Sequence, residues 1–151
     1  MKVTIRNIDD SQNEQVIIEC VEVTPEIEDI RSYALMKGTD LYGTSESGGL
    51  ERIPLSRIYY FEAVDEKVFA YTKGRVYEIK RRLYEIEKAY ENHHFIRCSK
   101  SVVLNLMLLG GISPSLNGRY TANMKNGEKL IISRKYAAII KDYITKGAKG
   151  V

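Results

Sequence analysis

The chain has 151 residues, 44% of them hydrophobic and 28% charged, which excludes a disordered polymer and fits one domain with a small extension. No stretch approaches the ~20 apolar residues of a membrane span, and "MKVTIRNIDD" at the N-terminus has no apolar h-region, so neither a membrane segment nor a signal peptide is expected. The net charge of +3 conceals a division: residues 1–48 hold 4 Lys+Arg against 10 Asp+Glu, and residues 49–151 hold 19 against 10, so an acidic segment precedes a basic one suited to a polyanion. Two distant cysteines, Cys20 and Cys98, make no disulfide framework and point to a cytoplasmic protein.

In chain order, "KVTIRNI" alternates as a strand, "DDSQNE" turns, and "QVIIECVEV" returns as the second arm of a hairpin. Thr24 is placed as an N-cap, with Pro25 at the first helical position and Glu26, Glu28 and Asp29 at the positive end. Ile27, Ile30, Ala34 and Leu35 give that helix an apolar stripe, and Gly38 is placed to stop it. "DLYGTSESGGL" adds a short strand before the Ser45–Gly49 loop, the expected boundary between an acidic ββα extension (1–48) and a basic module (49–147). The extension is too small to bury its own apolar face, so it is expected to dimerise the protein or meet another protein.

"RIYYFEAV", "KVFAYT" and "VYEIK" then form a three-stranded meander. A helix follows from about Arg81 to Glu91, with Leu83, Ile86 and Tyr90 buried. "FIRCSKSVVLNL" reads as two apolar strands interrupted by Ser99, Lys100 and Ser101. "RYTANM" and "EKLII" pair across Asn126-Gly127, a dipeptide suited to a type I′ turn with positive φ at both central residues. Ser133 caps a final helix striped with Tyr136, Ile139, Ile140, Tyr143 and Ile144, and Gly147 ends it. The result is an α+β chain, mainly antiparallel β, without the βαβ alternation of a nucleotide-binding sheet.

Catalytic patterns are absent. "LLGGI" lacks the spacing and the lysine of a phosphate loop. His93 and His94 project apart on one backbone and read as a helix C-cap and surface turn, not as partners of Cys98 in a metal or nucleophile site. Glu85 and Glu87 lie beside Arg81, Arg82 and Lys88 as a salt-paired solvent face. No enzyme activity, cofactor or metal is expected. The basic groups instead fall in connections: Lys67 at a turn, Lys100 in the Ser99–Ser101 interruption, and Arg134 and Lys135 after Ser133. Hydroxyls bind phosphate oxygens, whereas Lys and Arg can read guanine O6 and N7.

"IYYFEAVDEKVFAYTKGRVYEIKRRLYEIEKAY", "FIRCSKSVVLNL" and "NGEKLIISRKYAAIIK" together resemble the LytTR DNA-binding domain of bacterial transcription regulators, over roughly residues 50–146. The resemblance implies a mainly antiparallel module with short helices that inserts loops into successive major grooves at paired half-sites of double-stranded DNA. It implies base-reading roles for Lys67, Lys100 and Arg134 and phosphate contacts for Ser99, Ser101, Ser133 and Lys135. Arg97 and Asn105 fall on framework positions. Forty-eight leading residues are too few for a phosphoacceptor receiver domain, so a short stand-alone regulator, homodimeric through its extension, is expected. The competing expectation is a non-enzymatic module that binds RNA or an acidic protein through the same loops.

Overall fold

The computed structural model describes residues 1–37 and 39–146; the helix stops expected at Gly38 and Gly147 lie outside them. Helix α1 spans Pro25–Lys37. Strands β1 (Asp40–Thr44), β2 (Leu50–Pro54), β3 (Tyr60–Val64), β4 (Lys67–Tyr71) and β5 (Val76–Ile79) follow, then helix α2 (Leu83–Ala89). Strands β6 (Phe95–Ser99), β7 (Val102–Asn105), β8 (Leu109–Pro114), β9 (Tyr120–Met124) and β10 (Lys129–Ile132) lead to helix α3 (Arg134–Lys146). Seven strands form one sheet in the order β2-β1-β5-β4-β3-β7-β6, and β10-β9-β8 form a second. Every pairing is antiparallel, and the expected meander is the β3-β4-β5 run at the centre of the large sheet.

Both faces of that sheet are covered, so its central strands need apolar residues on both sides. All four residues of "VVLN" in β7 are buried. Phe61, Phe95 and Val103 pack with Leu55, Ile58 and Ile86 of α2 on one side. Tyr60, Cys98 and Leu104 pack with Ala122, Met124 and Ile132 of the small sheet and Ile140 of α3 on the other. Asn105 is fully buried between the strands and the next turn. Its amide donates to the Ile58 carbonyl at 2.9 Å and its Oδ1 accepts from the Met107 N–H at 3.0 Å, which is the framework role expected of it. Asn105→Ala should strand both backbone groups, at about 1–3 kcal/mol each. A urea unfolding curve should show a lower midpoint at unchanged slope.

Several expectations need correction. Residues 1–24 contain no strand ladder. The turn between the two expected strands does form, with the Gln12 N–H donating to the Asp9 carbonyl at 3.1 Å, but Val3, Ile5, Val16 and Ile17 stay exposed. A lone two-stranded ribbon buries too little to offset the entropy of ordering it. The extension's helix is present and capped as expected, the Ile27 N–H donating to Thr24 Oγ1 at 3.3 Å. The Ser45–Gly49 segment turns β1 into β2, which pair along their length, and Leu41 of β1 lies in the core. Of the stripe expected in α3, Ile140 is buried and Tyr136 and Tyr143 are half-buried, with Ala137 buried beside them, whereas Ile139 and Ile144 are exposed, so the inward face includes Ala137 in place of Ile139 and Ile144.

The turns also redistribute. Of Asn126 and Gly127 only Gly127 takes a positive φ, of 90°, and the four residues 125–128 separate β9 from β10, with Asn126 Oδ1 accepting from the Glu128 N–H at 3.0 Å. That loop is not the two-residue type I′ turn. The hairpin with positive φ at two consecutive non-glycine residues is β3–β4, where Asp65 and Glu66 have φ of 49° and 66°.

His94 departs furthest from its expected place. It is buried with φ of 64°, its Nε2 hydrogen-bonds Ser32 Oγ of α1, and its Nδ1 hydrogen-bonds Tyr143 Oη of α3. It therefore joins the extension to the last helix. Burial holds its pKa below 6.5, aided by His93 and opposed by Asp29 and Glu28. A histidine whose folded pKa is depressed takes up protons first in the unfolded chain, so stability is lost as pH falls through 6.5 toward the folded value. Unfolding at pH 7.5 and at successively lower pH should show this loss, and His94→Gln should flatten that part of the profile; an unchanged profile would contradict the assignment.

Candidate nucleic-acid interface

Three connections meet at one end of the strands. The β3–β4 turn is tied to the β6–β7 turn by the Ala63 N–H, which donates to the Ser101 carbonyl at 2.8 Å. The β10–α3 junction is tied to β6 by the Ser133 N–H, which donates to the Cys98 carbonyl at 2.9 Å. The structure thus brings Lys67, Ser99–Ser101 and Ser133–Lys135 onto one rim, although 68 residues of sequence separate its extremes.

Lys100 is exposed at the tip of the β6–β7 turn. Its backbone is held from behind, because Arg97 Nη1 donates to the Lys100 carbonyl at 2.7 Å. Arg97 is itself oriented by Glu87 of α2, with Nε and Oε2 2.5 Å apart, and its side chain is only 17% exposed. Glu87 therefore serves the loop and is not part of the expected solvent-paired helix face. Its neighbour Glu85 accepts from the Arg82 N–H at 3.2 Å and caps the helix. Ser99 Oγ accepts from the Ser101 N–H at 3.4 Å, and the β6–β7 register shifts between Arg97 and Ser99, just before the tip.

Arg134 begins α3 and is exposed. Sequence reasoning missed what supports it. The β8–β9 loop turns through Asn117 and Gly118, with φ of 58° and 74°, and a Cβ on Gly118 would sit 2.8 Å from Arg134 Cδ and 3.0 Å from Cγ. The glycine thus leaves room for the stem of Arg134, and the same loop adds the exposed Arg119. Strand β8, which carries that loop, was also missed, since "LGGISP" has neither alternation nor a β-branched run. Lys135 lies with its Nζ 5.2 Å from the Tyr136 ring centre. Ser133 occupies the cap position, its carbonyl accepting from the Ala137 N–H at 3.0 Å, but its Oγ is buried without a hydrogen-bond partner, so the expected side-chain cap is not made. In this geometry the hydroxyl does not face solvent.

Lys67 stands apart from the other two bases-readers expected from sequence. It opens β4 behind Asp65 and Glu66, two exposed carboxylates at the tip of its turn, and its Nζ lies 3.8 Å from Glu78 Oε1. The rim is therefore strongly cationic around Lys100, Arg119, Arg134 and Lys135 and mixed around Lys67. Cys98 is fully buried beneath it, and burial pushes its thiol up to about 12, so it offers no thiolate for nucleophilic chemistry. Among the described residues no three His, Cys, Asp or Glu side chains cluster as a metal site, and no helix is long and apolar enough to cross a membrane.

Residues 48–145 match the family model described as the LytTr DNA-binding domain. An uncharacterized HTH-type transcriptional regulator of Staphylococcus aureus (strain bovine RF122 / ET3-1) is 31% identical over 93 residues, covering 62% of this chain and 63% of the relative. Its counterpart in strain MRSA252 is 30% identical over the same span. The match thus covers less than two-thirds of these curated relatives' length. A solved LytTr DNA-binding domain from Bacillus cereus superposes with a TM-score of 0.65 at 25% identity, covering 70% of this chain and 96% of that one. Among the described residues no two α-helices of the present chain follow one another without an intervening strand, so its geometry is not that of a helix-turn-helix.

Proposed function

Because the chain belongs to the LytTr DNA-binding domain family, we propose that it is a sequence-specific transcription regulator that reads double-stranded DNA with loops placed in the major groove at paired half-sites. The observation that carries this reading is the rim itself: Lys100 and Arg134 project from two connections tied through β6. A rigid sheet fixes where such loops stand, so their side chains meet base edges with little ordering left to do. Arg134 offers a planar fork for guanine O6 and N7, and Lys100 a flexible point charge. Lys135, Ser99 and Ser101 flank them as phosphate contacts, with Arg119 added by the β8–β9 loop. Lys67 contributes least, because Asp65 and Glu66 repel the same phosphates.

Competition tests the class of partner. Duplex DNA with paired half-sites should displace a bound duplex far better than single-stranded RNA of equal charge, and equal displacement would favour a general polyanion or RNA module. Lys135→Ala should weaken specific and random duplexes alike and reduce the slope of log affinity against log salt by about one, since a phosphate contact releases counterions without reading sequence. A loss confined to one sequence would instead make Lys135 a base reader.

Residues 1–48 carry an excess of six negative charges, which DNA repels, and leave Val3, Ile5, Val16, Ile17 and Leu35 exposed. We assign them to a homodimer contact that places two modules on two half-sites. Sedimentation at high protein concentration without DNA should show a dimer; a strict monomer would leave the pairing to the DNA alone.

A further inference from the structure

A second basic surface lies at the opposite end of the sheet, and nothing in the DNA-reading rim uses it. The turn from Thr72 to Arg75 joins β4 to β5 at the ends remote from the Asp65–Glu66 turn, about 20 Å from Glu66 along β4 at ~3.3 Å per residue. Beside it, the end of β2 and the turn that follows enclose a cavity of about 480 Å³, with Arg52, Arg57, Lys73 and Arg75 in its wall and no carboxylate among the lining residues. We propose that this cavity binds a small phosphate-bearing ligand.

The cations divide into two kinds. Arg75 and Arg52 are paired with carboxylates that do not line the cavity: Arg75 Nη2 lies 2.7 Å from Glu51 Oε2, and Arg52 Nε lies 3.5 Å from Asp40 Oδ2. Arg75 also stacks over the Tyr77 ring at 5.0 Å. The two-pronged contact with Glu51 fixes the Arg75 guanidinium plane, and the two pairs offset two of the four positive charges. Arg57 and Lys73 have no carboxylate within 4.0 Å among the described residues, and both are exposed. Two uncompensated charges remain, which matches the dianion of a phosphomonoester. The volume is in the range of small-molecule sites, and Ser56 and Tyr59, also in the wall, add neutral hydroxyl donors. A flat DNA-backbone contact would present cations on an open face; these line a concavity whose turn points away from the rim.

The test is isothermal titration of the full chain, free of DNA, with inorganic phosphate and with adenosine monophosphate as probes. Saturable one-to-one binding of either is expected. Equal affinity for the two would show that the phosphate alone is recognised, and tighter binding of the nucleotide would show that its ring is held as well. The double variant Arg57→Ala/Lys73→Ala should bind at least tenfold more weakly while retaining wild-type affinity for duplex DNA. Three results would overturn the proposal. The first is no saturable binding of either probe, or binding untouched by the double variant. The second is loss of duplex affinity in that variant, which would make the surface a backbone contact. The third is a change of the variant from dimer to monomer in sedimentation, which would make the cavity a seat for the acidic segment of a second copy.

Discussion

Arg134→Ala should cost about 1–3 kcal/mol of specific DNA affinity, a loss of roughly 5- to 150-fold, and should relax preference at one base-pair position. The effect is large because Arg134 is pre-positioned. It starts α3, the junction before it is anchored to β6 through the Ser133 N–H, and its stem lies against Gly118. Loss of specific affinity with random-sequence affinity preserved is the signature of base reading. Equal loss on both would reduce Arg134 to a phosphate contact. Gly118→Ala offers a second view of the same side chain. Its φ of 74° and the 2.8 Å approach to Arg134 Cδ require either loop strain or a moved arginine, so its binding defect should shrink once Arg134 is already alanine.

Arg97→Ala should come next in size, although Arg97 is expected to make no contact with bases. The guanidinium bridges Glu87 of α2 to the Lys100 carbonyl, so its removal leaves a half-exposed carboxylate unpaired and the β6–β7 tip unpinned. Specific binding should fall by up to the loss seen for Lys100→Ala, about 1–3 kcal/mol, because a mobile lysine must be ordered again at the moment of binding. The double variant Arg97→Ala/Lys100→Ala should be scarcely worse than Lys100→Ala, since both act through one loop. Additive losses would mean that Arg97 meets DNA directly.

What the sequence makes legible is whatever period or spacing declares. The β3-β4-β5 meander follows from three β-branched, aromatic runs, and α2 from Leu83, Ile86 and Tyr90, all three buried. Lys100 and Arg134 are legible because one polar triplet interrupts two apolar strands and the other separates the last strand from the last helix. Elements without such a signal escape. β8 is glycine-rich and pairs because β9 lies beside it, with a bulge between Leu109 and Gly111. His94 looks like a turn residue, and only the arrival of α1 and α3 buries it. Conversely the N-terminal alternation is a strand pattern whose residues join neither sheet. The Asn126-Gly127 signal predicts a hairpin correctly, yet the loop holds two more residues than a type I′ turn allows. The support of Arg134 by Gly118 joins positions 16 apart in sequence through a close approach that no local pattern encodes.

Which end of the sheet meets DNA separates a reading rim from a surface that serves something else. Amide chemical-shift mapping of the full chain during titration with a short duplex addresses it most directly. The largest shifts should fall at residues 99–101, 116–119 and 133–135, with a smaller response at 65–67 and little at 52–59 and 72–75. Shifts concentrated around 52–59 and 72–75, with the rim silent, would contradict the assignment of DNA to the rim.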